Sequence, residues 1–111
     1  MKFDVTKNGK ATILKLHTKK LDSTVASELK AEFLILCKQK TCSKLIIDMT
    51  EVQFCDSSGL GALLIAEREM REHGGLVHLV HVNSKILDLM KISQLDRIFA
   101  ISKKIEDALK I

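Results

Sequence analysis

Hydrophobic and polar positions alternate at the start of the chain with the period of a strand. Phe3 and Val5 are separated by polar residues, and a second strand is expected over residues 11–17. Asn8 and Gly9 lie between them, and this pair favours a tight hairpin turn because both residues tolerate positive φ. The chain is therefore predicted to open with an antiparallel hairpin.

From residue 22 onward, segments with helical spacing alternate with short apolar runs. Asp22 begins a helix whose apolar positions recur at intervals of three and four, and the run at 45–49 is typical of a central strand covered on both faces. The later segments are a helix over about 58–73 stopped by Gly74, a strand at 76–82, a helix capped by Asn83, a strand at 98–101 and a closing helix capped by Ser102.

The element order is therefore ββαβαβαβα, with about five strands and four helices. Strands that alternate with helices imply right-handed crossovers and a mostly parallel sheet, with the opening hairpin as an antiparallel edge. A chain of 111 residues suits one domain, and 46% hydrophobic residues suffice for an interior. We predict a single α/β domain over residues 1–111.

Composition excludes several function classes. The net charge is +4, but the lysines are spread along the whole chain and Trp and Tyr are absent, which argues against nucleic-acid binding. The N-terminus has an acid where a secretion signal needs an apolar run, and the longest mostly apolar stretch, 60–66, is far too short to cross a bilayer, so no direct membrane insertion is expected. An odd number of cysteines favours a reduced, cytoplasmic compartment.

The sequence predicts no metal site and no cofactor. Cys37 and Cys42 have no second pair to complete a zinc site. His78 and His81 are three apart on a predicted strand, so their side chains point to opposite faces. We expect both histidines either to have hydrogen-bonded ring nitrogens or to lie at an edge.

Polar residues collect at the turn into the second helix. Asp56, Ser57 and Ser58 are all good N-cap residues at the positive end of the helix dipole, and Gly59 and Gly61 leave that end thinly covered. An anion, a phosphoryl group or the backbone of a partner can approach such a turn. Spacing alone favours helix capping for both serines. No Gly-x-Ser-x-Gly elbow is present, so no catalytic residue is predicted.

The string from Phe54 to Gly61, which follows the apolar run at 45–49, resembles the STAS domain family. This fold is shared by bacterial anti-sigma factor antagonists and the cytoplasmic tails of sulphate transporters. Leu21–Asp22 before the first helix and Gly74–Gly75 before the next strand support the resemblance. The element order is similar over nearly the whole chain.

The resemblance to the antagonist branch implies that Ser57 is phosphorylated by a serine kinase that is also an anti-sigma factor. Unphosphorylated protein would bind this kinase and release a sigma factor, and a serine phosphatase is the second implied partner. Asp48, at the end of a strand, is expected to bond loop amides. The expected partner-binding residues are Asp22, Asp56, Ser58, Gly59, Leu60 and Gly61.

Two other function classes stay open. Stand-alone STAS proteins also serve as accessory subunits that regulate membrane transporters, and a third, less favoured class is an enzyme with Ser57 as nucleophile. The chain departs from the family pattern at Lys19–Lys20, where many antagonists have a glycine, and at residues 93–95, where a Gly-Leu pair is usual. The first departure adds positive charge beside the expected binding face.

Overall fold

Strands and helices alternate through residues 2–38 and 43–110, the part of the chain that this computed structural model describes. Cys42 lies outside the described residues. The strands are β1 (Phe3–Asn8), β2 (Ala11–Leu16), β3 (Lys20–Leu21), β4 (Lys44–Asp48), β5 (Phe54–Cys55), β6 (Leu76–Val80) and β7 (Ala100–Ser102). The helices are α1 (Ser23–Cys37), α2 (Ser57–Arg71), α3 (Ser84–Ile92) and α4 (Ile105–Lys110), with a 3₁₀ turn at Leu95–Arg97.

The main sheet has the strand order β1-β2-β4-β6-β7. The β1–β2 hairpin is antiparallel, and its turn contains Gly9 at φ +63°. The other neighbouring pairs are parallel, because a connection that includes a helix joins each strand to the next. The predicted fold class, a single α/β domain with a mostly parallel sheet and an antiparallel edge, is confirmed.

The two faces of the main sheet are covered unequally. One face packs against α1, α2 and α3 and forms the larger core, in which Phe33 from α1 and Leu63 from α2 are fully buried. The other face is covered by the short helix α4, whose Ala108 packs with Ile46 and Val80. Burying a large aliphatic or aromatic side chain stabilises a fold by roughly 1.5–3 kcal/mol. The α1–α2 side therefore contributes most of the stability.

A second, two-stranded sheet was not predicted. In it β3 pairs with β5 in parallel, with Lys20 beside Phe54 and Leu21 beside Cys55. Each strand has two residues, too few for a hydrophobic period to be recognised. Because β3 leads into α1 and β5 leads into α2, this pairing brings the N-termini of the two helices together.

The end of the chain differs from the prediction at two points. The last strand is expected over 98–101 but lies slightly later, in β7, because the left-handed residue Gln94 (φ +63°) and the 3₁₀ turn take up the preceding chain. The prediction that Ser102 caps the closing helix is wrong. Ser102 ends β7, and the N–H of Ala108 donates to the carbonyl of Lys104, so the helix starts two residues further on.

A buried histidine lies on the sheet face that α4 covers. His78 in β6 is 1% exposed, and neither of its ring nitrogens has a hydrogen-bond partner in the described part of the chain. The expectation of a bonded or edge histidine is therefore wrong here, because β6 lies between two other strands and the cluster on this face, which includes Ile46, Val80 and Ala108, is apolar. Burial, together with the nearby charge of Lys44, lowers the pKa of His78.

We expect His78→Leu to raise the free energy of unfolding by about 1 kcal/mol near neutral pH, because it replaces two unpaired buried polar atoms by apolar ones. The difference in the free energy of unfolding between His78→Leu and wild type should widen as the pH falls below about 6.5. There the unfolded wild-type chain takes up a proton at His78 and the folded chain does not. Urea unfolding between pH 5 and pH 8 measures both effects.

Another histidine acts with the opposite sign over the same pH range. The ring of His17 lies 2.8 Å from a carboxylate oxygen of Glu51 and 2.6 Å from one of Asp4, and these bonds raise its pKa. His17 therefore adds stability at low pH that is lost as the pH rises through its folded pKa. The difference between wild type and His78→Leu isolates the effect of His78. A difference that stays constant with pH would contradict the prediction.

Candidate functional site

Asp56 is the residue that caps α2. Its backbone is extended, and its carboxylate accepts a hydrogen bond from the N–H of Gly59 at 3.0 Å. Its carbonyl accepts the first helical bond, from the N–H of Leu60. Capping of this kind contributes about 1 kcal/mol to helix stability. Of the three candidate caps in the sequence, the structure selects Asp56.

The two serines therefore belong to the first turn of α2 and do not cap it. Ser57 is exposed, and its hydroxyl makes no hydrogen bond to any described residue. Ser58 is half-buried. Because the helix end carries a partial positive charge, added negative charge on the Ser57 oxygen is electrostatically favoured there. The hydroxyl of Ser57 is thus available for chemistry without loss of the cap.

A second carboxylate lies at the start of the neighbouring helix. Asp22 caps α1 and accepts hydrogen bonds from the backbone N–H and the hydroxyl of Thr24, at 3.0 and 2.6 Å, which lower its pKa. Leu21 pairs with Cys55, and the N–H of Asp56 donates to the carbonyl of Leu21. Asp22 and Asp56 therefore follow paired residues and lie at the same end of the molecule.

The glycines of the string have different surroundings. Gly59 is buried, and a β-carbon on it would lie 2.2 Å from the carbonyl oxygen of Leu21. A β-carbon on Gly61 would meet nothing within 4 Å. The close approach of α2 to β3 explains Gly59, whereas Gly61 faces open space.

Two residues expected at the partner-binding surface lie in the interior. Gly59 is covered by β3, and Leu60 is 8% exposed and packs in the larger core. Their role in the structure is to hold α2 in place. The solvent-accessible part of the expected set is the exposed Ser57 with four half-buried neighbours, Asp22, Asp56, Ser58 and Gly61.

Asp48 holds the loop that precedes β5. It is 5% exposed, and its carboxylate accepts hydrogen bonds from the N–H of Thr50 at 3.0 Å and from His81 Nδ1 at 2.9 Å. Burial by itself would raise the pKa of Asp48, but the bonds from Thr50 and His81 outweigh it and lower the pKa. The expectation of a bonded or edge histidine is confirmed for His81, which follows β6 at φ +57°. Its partner Asp48 was not predicted, because only the fold brings the two residues together.

The same loop is held from the side of α3. The side-chain oxygen of Asn83 caps this helix by accepting from the N–H of Ile86 at 2.8 Å, as predicted. Its amide nitrogen donates to the carbonyls of Val52 and Gln53, both at 3.2 Å. One asparagine therefore fixes α3 relative to the chain that enters β5.

The thiol of Cys55, directly before the turn, is not activated as a nucleophile. Cys55 is buried, and burial together with the charge of Asp56 raises the pKa of its thiol to about 12. The reactive thiolate is therefore scarce near neutral pH. Among the residues described, no group of three or more His, Cys, Asp or Glu side chains is arranged to bind a metal ion, and no helix is long and apolar enough to span a membrane.

The chain belongs to the STAS domain family, whose model matches residues 2–108. This finding confirms the resemblance carried by the central string. The family model covers α1, α2 and α3 completely and ends within α4.

Solved structures similar to this chain come from both branches of the family. An anti-sigma-factor antagonist (STAS) domain protein from Planctomyces limnophilus is 20% identical with a TM-score of 0.88, over 97% of this chain and 94% of the other. Phosphorylated SpoIIAA from Bacillus is 20% identical with a TM-score of 0.75, over 97% and 96%. A sulfate transporter family protein from Wolinella succinogenes is 18% identical with a TM-score of 0.79, over 91% and 83%. At these identities the likeness shows the fold.

We expect Gly59→Ala to lower the free energy of unfolding by about 2–3 kcal/mol, because its methyl group would displace the backbone of Leu21. Gly61→Ala is the matched control on the same helix. It should raise the free energy of unfolding by about 0.5–1 kcal/mol, since alanine favours a helix interior over glycine. Chemical denaturation followed by circular dichroism measures both. Equal effects of the two substitutions would contradict the close approach of α2 to β3.

Proposed function

We propose that this protein is an anti-sigma factor antagonist whose binding to a serine kinase is switched off by phosphorylation of Ser57. The observation that carries the proposal is the exposed Ser57 hydroxyl, which has no hydrogen bond to the described residues and stands next to the cap of α2. A kinase can reach this oxygen, and its modification leaves the Asp56–Gly59 bond intact.

The likeness to SpoIIAA supports this proposal. SpoIIAA is named as an anti-sigma factor antagonist, and its structure is known in an unphosphorylated and a phosphorylated form. By analogy, the partners of this chain are an anti-sigma factor that is also a serine kinase, and a serine phosphatase. The protein would act in the cytoplasm as a substrate of these enzymes and would not be a catalyst itself.

The charge of a phosphate explains how one modification could end binding. A phosphoserine carries roughly −1.5 to −2 charges at neutral pH. At the start of α2 the helix dipole favours this charge, so the fold should tolerate it. A partner surface matched to a neutral hydroxyl must instead desolvate a dianion beside Asp56. Each tenfold change in affinity corresponds to about 1.4 kcal/mol of binding free energy. A loss of a few kcal/mol is therefore sufficient for a switch.

A second candidate function is an accessory subunit of a membrane transporter. The likeness to a sulfate transporter family protein favours it, because the same fold occurs there. Neighbouring genes separate the two functions: a kinase and a phosphatase support signalling, and transporter genes support the subunit. An enzyme with Ser57 as nucleophile is the least favoured function, and it would require labelling of Ser57 by a fluorophosphonate probe.

We expect a cognate serine kinase with ATP to place one phosphate on the wild-type protein and none on Ser57→Ala. Ser58→Ala is the matched control, because it removes a neighbouring hydroxyl from the same helix turn and should still be phosphorylated. Intact-mass spectrometry and peptide mapping give the number and position of the phosphates. Phosphate on the Ser57→Ala protein would contradict the assignment of the site.

Ser57→Asp should mimic the phosphorylated state in part. Its free energy of unfolding should be unchanged or higher by about 0.5 kcal/mol, since an acid in the first turn of a helix interacts favourably with the dipole. Its affinity for the kinase should fall at least tenfold in isothermal titration calorimetry, with Ser57→Asn as the neutral control. Equal affinities of the two variants would argue against a switch based on charge.

A further inference from the structure

An exposed aromatic side chain lies directly before the turn. Phe54 in β5 is 49% exposed, whereas Cys55, the other residue of this strand, is buried. The short strand therefore turns one side chain inward and presents the other to solvent. A half-exposed phenylalanine three residues from Ser57 is not needed for the interior.

Phe54 forms one wall of a groove between β5 and α3. The groove has a volume of about 280 Å³, and α3 contributes Lys85, Ile86 and Leu89 to its lining. Ile86 is buried and Leu89 half-buried, so the floor is apolar. The groove is large enough for one or two side chains of a partner and too small for a folded element.

Positive charge flanks the aromatic ring on two sides. Lys20 is the residue that pairs with Phe54 across the β3–β5 sheet, and Lys85 lies on the opposite wall of the groove. Both lysines are exposed. The described lining of the groove includes no carboxylate. Lys20 is part of the Lys19–Lys20 pair at which this chain departs from the family pattern. The positive charge around Phe54 is therefore a property of the present chain.

We propose that this surface, the Phe54 groove, binds a segment of the partner protein that carries an apolar side chain between acidic residues. The apolar side chain enters the groove against Phe54, and the acids face Lys20 and Lys85. Exposed apolar surface next to a binding site is typical of an interface centre, and flanking charges select the partner by sign. The inference rests on the proposed function, because it gives the chemistry of the partner that binds beside Ser57.

Three short probe peptides test whether the groove prefers acidic to basic residues and whether it requires an apolar side chain. They are the blocked hexapeptides Glu-Glu-Leu-Phe-Glu-Glu, Lys-Lys-Leu-Phe-Lys-Lys and Glu-Glu-Ser-Ser-Glu-Glu, titrated into the ¹⁵N-labelled unphosphorylated protein. We expect only the first peptide to give saturable shifts at the amides of Phe54, Lys85 and their neighbours. The other two should bind at least tenfold more weakly.

Variants then connect the binding to the groove. Phe54→Ser should weaken the first peptide at least tenfold, and Lys20→Glu combined with Lys85→Glu should reverse the preference between acidic and basic peptides. Ile92→Ser is the matched control, because Ile92 is 82% exposed on α3 but does not line the groove. Each variant is first compared with wild type in urea unfolding, so that loss of fold is separated from loss of binding.

Each other outcome would overturn the inference. These outcomes are no saturable shift with the acidic apolar peptide at millimolar concentration, equal binding of all three peptides, or an equal effect of Ile92→Ser. Concentration-dependent dimerisation abolished by Phe54→Ser would assign the groove to a second copy of this chain. If the peptides do not bind but the kinase phosphorylates Ser57 alone, the groove inference fails and the proposed function stands. If the acidic apolar peptide binds but Ser57 is not phosphorylated, the proposed switch fails and the groove inference stands.

Discussion

The close approach of α2 to β3 at Gly59 is the contact on which the site depends. Because Gly59 has no side chain, the helix can lie against the carbonyl of Leu21, and β5 can pair with β3 immediately before it. That pairing brings Asp22 and Asp56, the caps of two helices, to one end of the molecule. A larger residue at position 59 would separate the two helix starts, so one backbone contact determines the geometry of the whole surface.

Capping and chemistry are divided between adjacent residues. The Asp56 carboxylate accepts the capping hydrogen bond at the start of α2, so the Ser57 hydroxyl is not needed for capping. The loop before β5 is held by Asp48 and Asn83, and neither depends on Ser57. The framework is therefore expected to stay in place whether or not Ser57 carries a phosphate. Phosphorylation of Ser57, as proposed, would therefore change the surface charge without changing the fold.

Much of the fold follows from periodicity, because long helices and central strands repeat their hydrophobic pattern several times. The capping of α2 was foreseen only as a choice among three residues, since Asp and Ser are both good N-caps. The β3–β5 pair was missed because two residues contain no period. The bond between His81 and Asp48 was also missed: it joins residues 33 positions apart, and only the parallel pairing of β4 and β6 brings them together.

The burial of individual side chains is the second feature that the sequence does not determine. His78 follows the alternation of a strand whose inner face is apolar, yet its sequence neighbours give no sign that its ring lacks partners. The exposure of Phe54 also does not follow from the sequence, because the two residues of β5 show no alternation that would assign its side chain to a face. In both cases the deciding fact is what lies across the sheet, which a single strand does not reveal.

The groove and the proposed phosphorylation site, Ser57, are close enough to act together. A chain spans at most about 3.6 Å per residue, so the Cα atoms of Phe54 and Ser57 are separated by no more than about 11 Å. This distance is comparable to the Debye length of about 8 Å at physiological ionic strength. An acidic segment held by Lys20 and Lys85 would therefore be repelled by a phosphate on Ser57. The two lysines would attract the acidic residues of the partner, and a phosphate on Ser57 would repel those same residues.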